Sequence, residues 1–182
     1  MVKRRSDAEE NRARIVAVAR ERLVASDDVK MNEIARAAGV GQGTLYRHFP
    51  TREALLAEVY RDDVDALVGA APDLLAQHPP IEAMTLWFGR VAEYARVKRG
   101  VFAAATDTAQ RELDGHSAGP IDKAVTALLQ AGQAAGQIRP DVDARDMILL
   151  MGFLTRLDDA EWDSRAHRVL DVILAGVEVR AR

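Results

Sequence analysis

Apolar residues recur three and four positions apart along almost the whole chain, and no stretch sustains the period of two that a half-buried strand needs. Ile15, Val18, Ala19 and Leu23 form one such stripe across residues 7–26, with Arg12, Arg14, Arg20 and Arg22 largely off it. A second helix is expected at 31–38, stopped by Gly39, and a third at 42–49, ended by Pro50. Thr51 reads as the N-cap of a fourth helix, which carries Leu55, Leu56, Val59, Tyr60, Val64 and Leu67 and fades near Gly69. The stretch 70–80 (AAPDLLAQHPP) reads as a linker. Beyond it, 81–99 is helical, with Ile81, Met84, Phe88, Val91 and Ala95 on one face and Trp87 and Tyr94 flanking. A short helix at 101–109, a loop at 114–120 (DGHSAGP) and a helix at 121–135 follow. Asp143 or Asp141 caps a helix over 144–157, and Ser164 caps the last one. The expectation is an all-α chain of roughly eight to ten helices.

The net charge of −3, from 25 basic and 28 acidic residues, argues at face value against a polyanionic partner. The average conceals an asymmetry. Residues 1–61 hold 12 basic and 9 acidic groups, whereas 62–182 hold 13 and 19. A basic module of 1–61 therefore precedes an acidic body of 62–182. The chain has no Cys, which excludes disulfides, a thiolate nucleophile and thiolate metal sites. Asp7, Glu9 and Glu10 stand where a signal peptide would be apolar, and the longest apolar run, 147–154, is far below the ~20 residues of a membrane helix. A soluble, cytoplasmic protein with no membrane partner is expected.

The segment MNEIARAAGVGQGTLYRHFP at 31–50 meets the demands of a helix–turn–helix. Ile34 and small Ala35 let a second helix cross closely, and Gly39 supplies a turn of positive φ. Val40 and Leu45 pin the next helix, Leu45 lying eleven residues after Ile34. Gln42, Gly43, Thr44, Tyr46, Arg47 and His48 then face outward. All are small, polar or basic, as an element entering a major groove requires.

These residues resemble the tetracycline-repressor (TetR) family of bacterial transcription regulators. The likeness rests on Arg14-Ile15 with Ala19, on Ile34-Ala35 and Ala38-Gly39-Val40, and most of all on Gly43-Thr44-Leu45-Tyr46-Arg47-His48-Phe49 followed by Arg52-Glu53-Ala54-Leu55. It covers about residues 10–60. The resemblance implies an N-terminal three-helix DNA-binding domain and a C-terminal helical domain for ligand binding and dimerisation. By the same resemblance Thr44 and Tyr46 bond phosphates, Arg47 and His48 lie at the backbone or near base edges, and Arg52 reaches a phosphate. Gln42 and Gly43 open the recognition helix; Gln42 pairing with adenine is worth roughly 1–3 kcal/mol of discrimination. Gly41 and Lys30 stand where the family often carries capping hydroxyls, and Lys30 is expected to touch phosphate instead. Lys3, Arg4 and Arg5 are either a tail or an arm into the minor groove.

In the body, Met84, Trp87, Phe88, Tyr94, Phe102, Met147 and Met151, with Phe153, are either core filler or, by the resemblance, the lining of an effector pocket oriented by Arg96, Asp107 or Gln110. Family architecture likewise assigns Leu154, Val169, Leu170, Ile173, Leu174 and Val177, with Ala166, to a homodimer interface, the alternative being burial within one chain. Dimerisation would read a palindrome with half-sites about 34–36 Å apart or a multiple of that. The four His show neither i,i+4 pairing nor HExxH spacing, and GVGQG at 39–43 lacks a preceding strand and a following Lys-Ser/Thr. The acidic group Asp158, Asp159, Glu161 and Asp163 reads as a solvated turn. No enzyme, cofactor or metal is expected. The expected function is a repressor released from a double-stranded operator by a small-molecule effector. The second reading is a ligand-independent DNA-binding protein whose body recruits a protein partner.

Overall fold

The computed structural model describes residues 2–25 and 30–179, with side chains at 7–24 and from Lys30 onward. The side chains of Lys3, Arg4 and Arg5, and all of Ser26, thus lie outside the described residues. Eight α-helices are described: α1 (Val2–Ala25), α2 (Met31–Ala37), α3 (Gln42–His48), α4 (Arg52–Gln77), α5 (Pro80–Ala104), α6 (Asp107–Ala134), α7 (Ala144–Met151) and α8 (Asp159–Val177). A 3-10 turn, Gly152–Arg156, extends α7. The chain is all-α, as its periodicity requires.

Four local readings are corrected. The fourth helix does not fade at Gly69: α4 runs through Gly69 and Pro72 to Gln77, so most of the expected linker is helix. Tyr60, Val64, Leu67, Ala71 and Leu74 are buried along one stripe, while Pro72 is exposed. Burial along the stripe outweighs the one backbone bond that proline removes. The expected loop at 114–120 is also helix, inside α6. Leu113, Ser117, Ile121, Val125 and Leu129 form an unbroken i,i+4 row that is buried or half-buried, and this row carries the helix past Gly115, Gly119 and Pro120. The short helix at 101–109 does not exist as such: α5 continues to Ala104 and α6 begins at Asp107. Asp158, not Ser164, caps the last helix, accepting from the Glu161 amide at 2.9 Å. Asp143 caps α7 as expected, with Asp146 closing the reciprocal bond.

The described residues form two compact units, one drawn from 1–63 and 97–114, the other from 64–96 and 115–182. In the first, Ile15, Ala19, Leu23, Ile34, Leu45, Phe49, Leu55, Val59, Tyr60 and Val101 are buried together with Val16. Arg20 Nε donates to the largely buried Asp63 carboxylate at 2.6 Å. Gly100 is required for close approach: a Cβ there would stand 2.4 Å from the Leu23 carbonyl oxygen. In the second unit, Pro80 occupies the first position of α5, where its missing N–H costs nothing. The Ile81 amide donates to Gln137 Oε1 at 3.1 Å, and Ile138 bridges antiparallel to Glu178, closing the segment after α6 onto the end of α8.

Candidate nucleic-acid interface

The turn between α2 and α3 is built by backbone bonds. Gly39, at φ 66°, donates to Arg36 O at 3.2 Å, and the Val40 amide donates to Ala35 O at 3.0 Å, which together satisfy the last carbonyls of α2. Arg14 on α1 donates through Nε to the Ala38 carbonyl at 3.0 Å, tying the same turn to the first helix. The Gly41 carbonyl then accepts from the Thr44 and Leu45 amides and starts α3, although no side chain caps it. Leu45 is 0% exposed and anchors α3 from beneath.

Opposite Leu45, α3 presents Gln42, Gly43, Tyr46 and Arg47 to solvent, with Thr44 and His48 half-buried. Tyr46 is 49% exposed, so its ring is left outside the core. Lys30 lies exposed at the N-cap of α2. Arg52 is placed otherwise than expected: it is half-buried, and its Nη1 donates to the Ala104 carbonyl at 3.1 Å at the end of α5. Thr51 does cap α4, accepting from the Ala54 amide at 3.1 Å.

One contact at this site was invisible in the sequence. The Arg12 guanidinium lies 4.9 Å from the centroid of the Phe49 ring, the residue that closes α3, and donates to Glu58 on α4. That hydrogen bond, against the opposing effect of burial, holds the Glu58 carboxyl below its ordinary range and raises the Arg12 guanidinium. Charge alone marked Arg12 as one more exposed arginine; only the meeting of three helices reveals its two partners.

The second unit holds most of the residues expected to line a pocket. Met84, Trp87, Phe88, Tyr94, Met147 and Met151 are all buried there, and the Trp87 indole N–H is spent on the Leu67 carbonyl at 2.9 Å. Phe102 belongs to the first unit, where its ring lies 5.6 Å from Tyr60. Gln110 is likewise in the first unit and donates to the Phe102 and Ala105 carbonyls, and Arg96 faces Asp163 at 3.6 Å. A cleft of about 430 Å³ lies elsewhere, lined by polar Asp122, Thr126, Gln130 and Gln133 with Val142 and Arg145. Of the expected interface residues, Leu154, Leu170, Leu174 and Val177 are buried within the single chain, and Val169 and Ile173 are half-buried. The apolar surface on α7 and α8 is carried instead by Leu149, Leu150 and Val172, at 60%, 47% and 67% exposure. The acidic group around Trp162 resolves into the Asp158 cap, a Glu161–Arg165 pair at 2.7 Å and the Arg96–Asp163 contact.

Comparison with known proteins bears on both ends of the chain. Residues 23–59 match the bacterial regulatory proteins of the tetR family, and 79–179 match the C-terminal domain of SbtR-like transcriptional regulators. The chain belongs to the TetR family. A TetR regulator of Streptomyces coelicolor superposes with a TM-score of 0.81 at 39% identity, covering 93% of this chain and 99% of that one. A second, from Mycobacterium vanbaalenii, gives 0.77 at 35% identity over 96% and 99%. A curated helix–turn–helix regulator of Staphylococcus aureus is 38% identical over 79 residues, 42% of this chain and only 41% of its own length. Likeness to these curated relatives therefore spans about two fifths of them. The TetR assignment makes the chain a transcriptional regulator rather than an enzyme, because the matched families and relatives are regulators. No helix among the described residues is long and apolar enough to cross a membrane.

Proposed function

We propose that this TetR regulator binds a double-stranded DNA operator by laying α3 in the major groove, and is released when a small molecule binds the unit of 64–96 and 115–182. One observation carries the reading. The short α3 hides Leu45 completely and turns Gln42, Gly43, Tyr46 and Arg47 outward, the face that base edges and phosphates need. Thr44, His48 and Lys30 extend that face. Arg52, whose Nη1 is held by the Ala104 carbonyl, would join it through its remaining N–H donors. The 1–61 module reads DNA and the 62–182 body regulates and dimerises in the cytoplasm. One recognition helix reads too few base pairs, so two copies would read a palindrome. Leu149, Leu150 and Val172 beside Val169 and Ile173 supply the apolar surface such a pairing would cover. Release is a population shift: the effector must bind the DNA-incompetent state more tightly, or nothing moves.

A second reading draws support from the interior. Met84, Trp87, Phe88 and Met147 are packed to near-zero exposure, which suits a body that recruits a protein partner without a ligand. The test of the DNA reading is a triple variant, Thr44→Ala, Tyr46→Phe and Arg47→Ala. It is expected to keep the melting temperature and lose operator binding, with Arg47→Ala alone lowering the salt dependence of binding by about one phosphate contact. Normal retardation of promoter DNA by the triple variant would end the assignment of α3. A melting temperature raised by a small molecule that also releases DNA favours the effector reading over the partner reading.

A further inference from the structure

We infer that Arg12, acting through Phe49 and Glu58, is a positioning residue that sets the angle at which α3 is presented to DNA; this rests on the reading of α3 as the DNA-contacting helix. A helix of seven residues cannot hold its own direction, because so short a segment is marginal in water and depends on its anchors. Leu45 beneath and the Gly39 turn at the amino end together form one anchor of α3, which leaves its carboxyl end to be held. The carboxyl end supplies the second anchor. The Phe49 amide donates to Leu45 O at 2.8 Å, the Phe49 ring is buried, and Pro50 and Thr51 lead at once into α4.

Arg12 closes this joint from the third side. Its guanidinium covers the Phe49 ring at 4.9 Å while its Nη1 donates to Glu58. Arg61 approaches the other oxygen of the same carboxylate at 3.9 Å. One planar cation on α1 thereby touches the residue that ends α3 and the second turn of α4. Ile15 and Val16, buried just beyond it, fix the segment of α1 from which it reaches. Lysine could keep the charge but not the flat face that stacks and bonds at once. The side chains of Arg12 and Glu58 are 41% and 21% exposed, a setting in which an ion pair contributes little to global stability. The contact therefore shapes direction more than it holds the fold together.

The alternative role for a basic residue so placed is direct contact with phosphate, and Glu58 separates the two. If Arg12 binds phosphate, removing the Glu58 charge frees the cation and tightens DNA binding. If Arg12 positions α3, removing the charge loosens the joint and weakens binding. The experiment first selects a duplex from a random-sequence library with the full-length wild-type chain. Affinities of Arg12→Ala, Arg12→Lys, Glu58→Gln and the Arg12→Ala/Glu58→Gln pair are then measured on that duplex and on a scrambled one across a salt series. Arg12→Ala and Glu58→Gln are each expected to weaken binding to the selected duplex by about tenfold, the size of one lost base-pair contact. Binding to the scrambled duplex and the salt slope stay at wild-type values, the melting temperature falls by no more than the small amount that one partly exposed ion pair accounts for, Arg12→Lys falls between, and the pair loses no more than either single change. Tighter binding by Glu58→Gln, with a salt slope lowered by about one in Arg12→Ala, overturns the inference in favour of a phosphate contact. Variants that all bind as wild type does overturn it as well. A wild-type chain that selects no duplex overturns the DNA reading itself, a distinct failure.

Discussion

The helix–turn–helix unit and the unit of 64–96 and 115–182 put their large side chains to opposite uses. In the first, a small set of apolar residues is fully buried, and the residues assigned to function stand outside it. Tyr46 and Arg47 lie exposed, outside that core. In the second, the residues expected to meet a ligand are the core itself: Trp87 and Met147 are wholly buried, and Trp87 spends its only polar group on a backbone carbonyl. A function worn on the surface is separable from folding. A function housed in the interior is made of the same atoms that hold the unit together.

That contrast can be broken by substitution. The largest effect is expected at Trp87→Ala, which should lower stability by about 3–5 kcal/mol in urea unfolding, since the void cannot fully collapse. Unfolding unchanged from wild type would mean that the interior is loosely packed and that the second unit resembles the first after all. Gly100→Ala should cost about 1–3 kcal/mol, because its methyl group must push α5 off the Leu23 carbonyl. A neutral outcome would show that this approach is looser than drawn.

Acid provides a smaller, graded test inside the first unit. Glu58 titrates lower in the folded chain than its ordinary 4.5, so its pairing with Arg12 contributes fully above that value and is lost as pH falls through the lowered one. Wild type and Glu58→Gln should therefore differ slightly in melting temperature near neutrality and converge in acid, once pH has fallen through the lowered value. A difference that persists in stronger acid would assign the effect to packing instead. Smallest of all, Gly41→Ser should raise stability by a few tenths of a kcal/mol, since it adds the cap that α3 lacks and nothing lies within 4 Å of the new Cβ.

Legibility in the sequence follows the same division. Gly39, Leu45 and the outward face of α3 were readable because each acts within about a dozen residues of its partners, through turn geometry and helical period. Proline and glycine were over-read in 70–80 and 114–120, where Pro72 and Pro120 sit inside helices. Local punctuation yields there to long rows of buried side chains that no short window weighs. Arg52 kept its place at the head of α4 but found the Ala104 carbonyl, a partner 52 residues away. Leu154, Leu170 and Leu174 were correctly apolar, yet periodicity cannot tell a face buried in its own chain from one offered to a second.

The sequence by itself determined the helical class, the turn at Gly39 and which side of α3 faces out, because these depend on periods and dihedral preferences that each residue carries with it. Only the tertiary structure decided that Arg12 meets Phe49 and Glu58, that Arg52 is held at Ala104, and that Leu149, Leu150 and Val172 are among the apolar residues left in water. Those outcomes depend on which helices come together, and contact between residues far apart in the chain is set by the packing of the whole unit rather than by any segment of it.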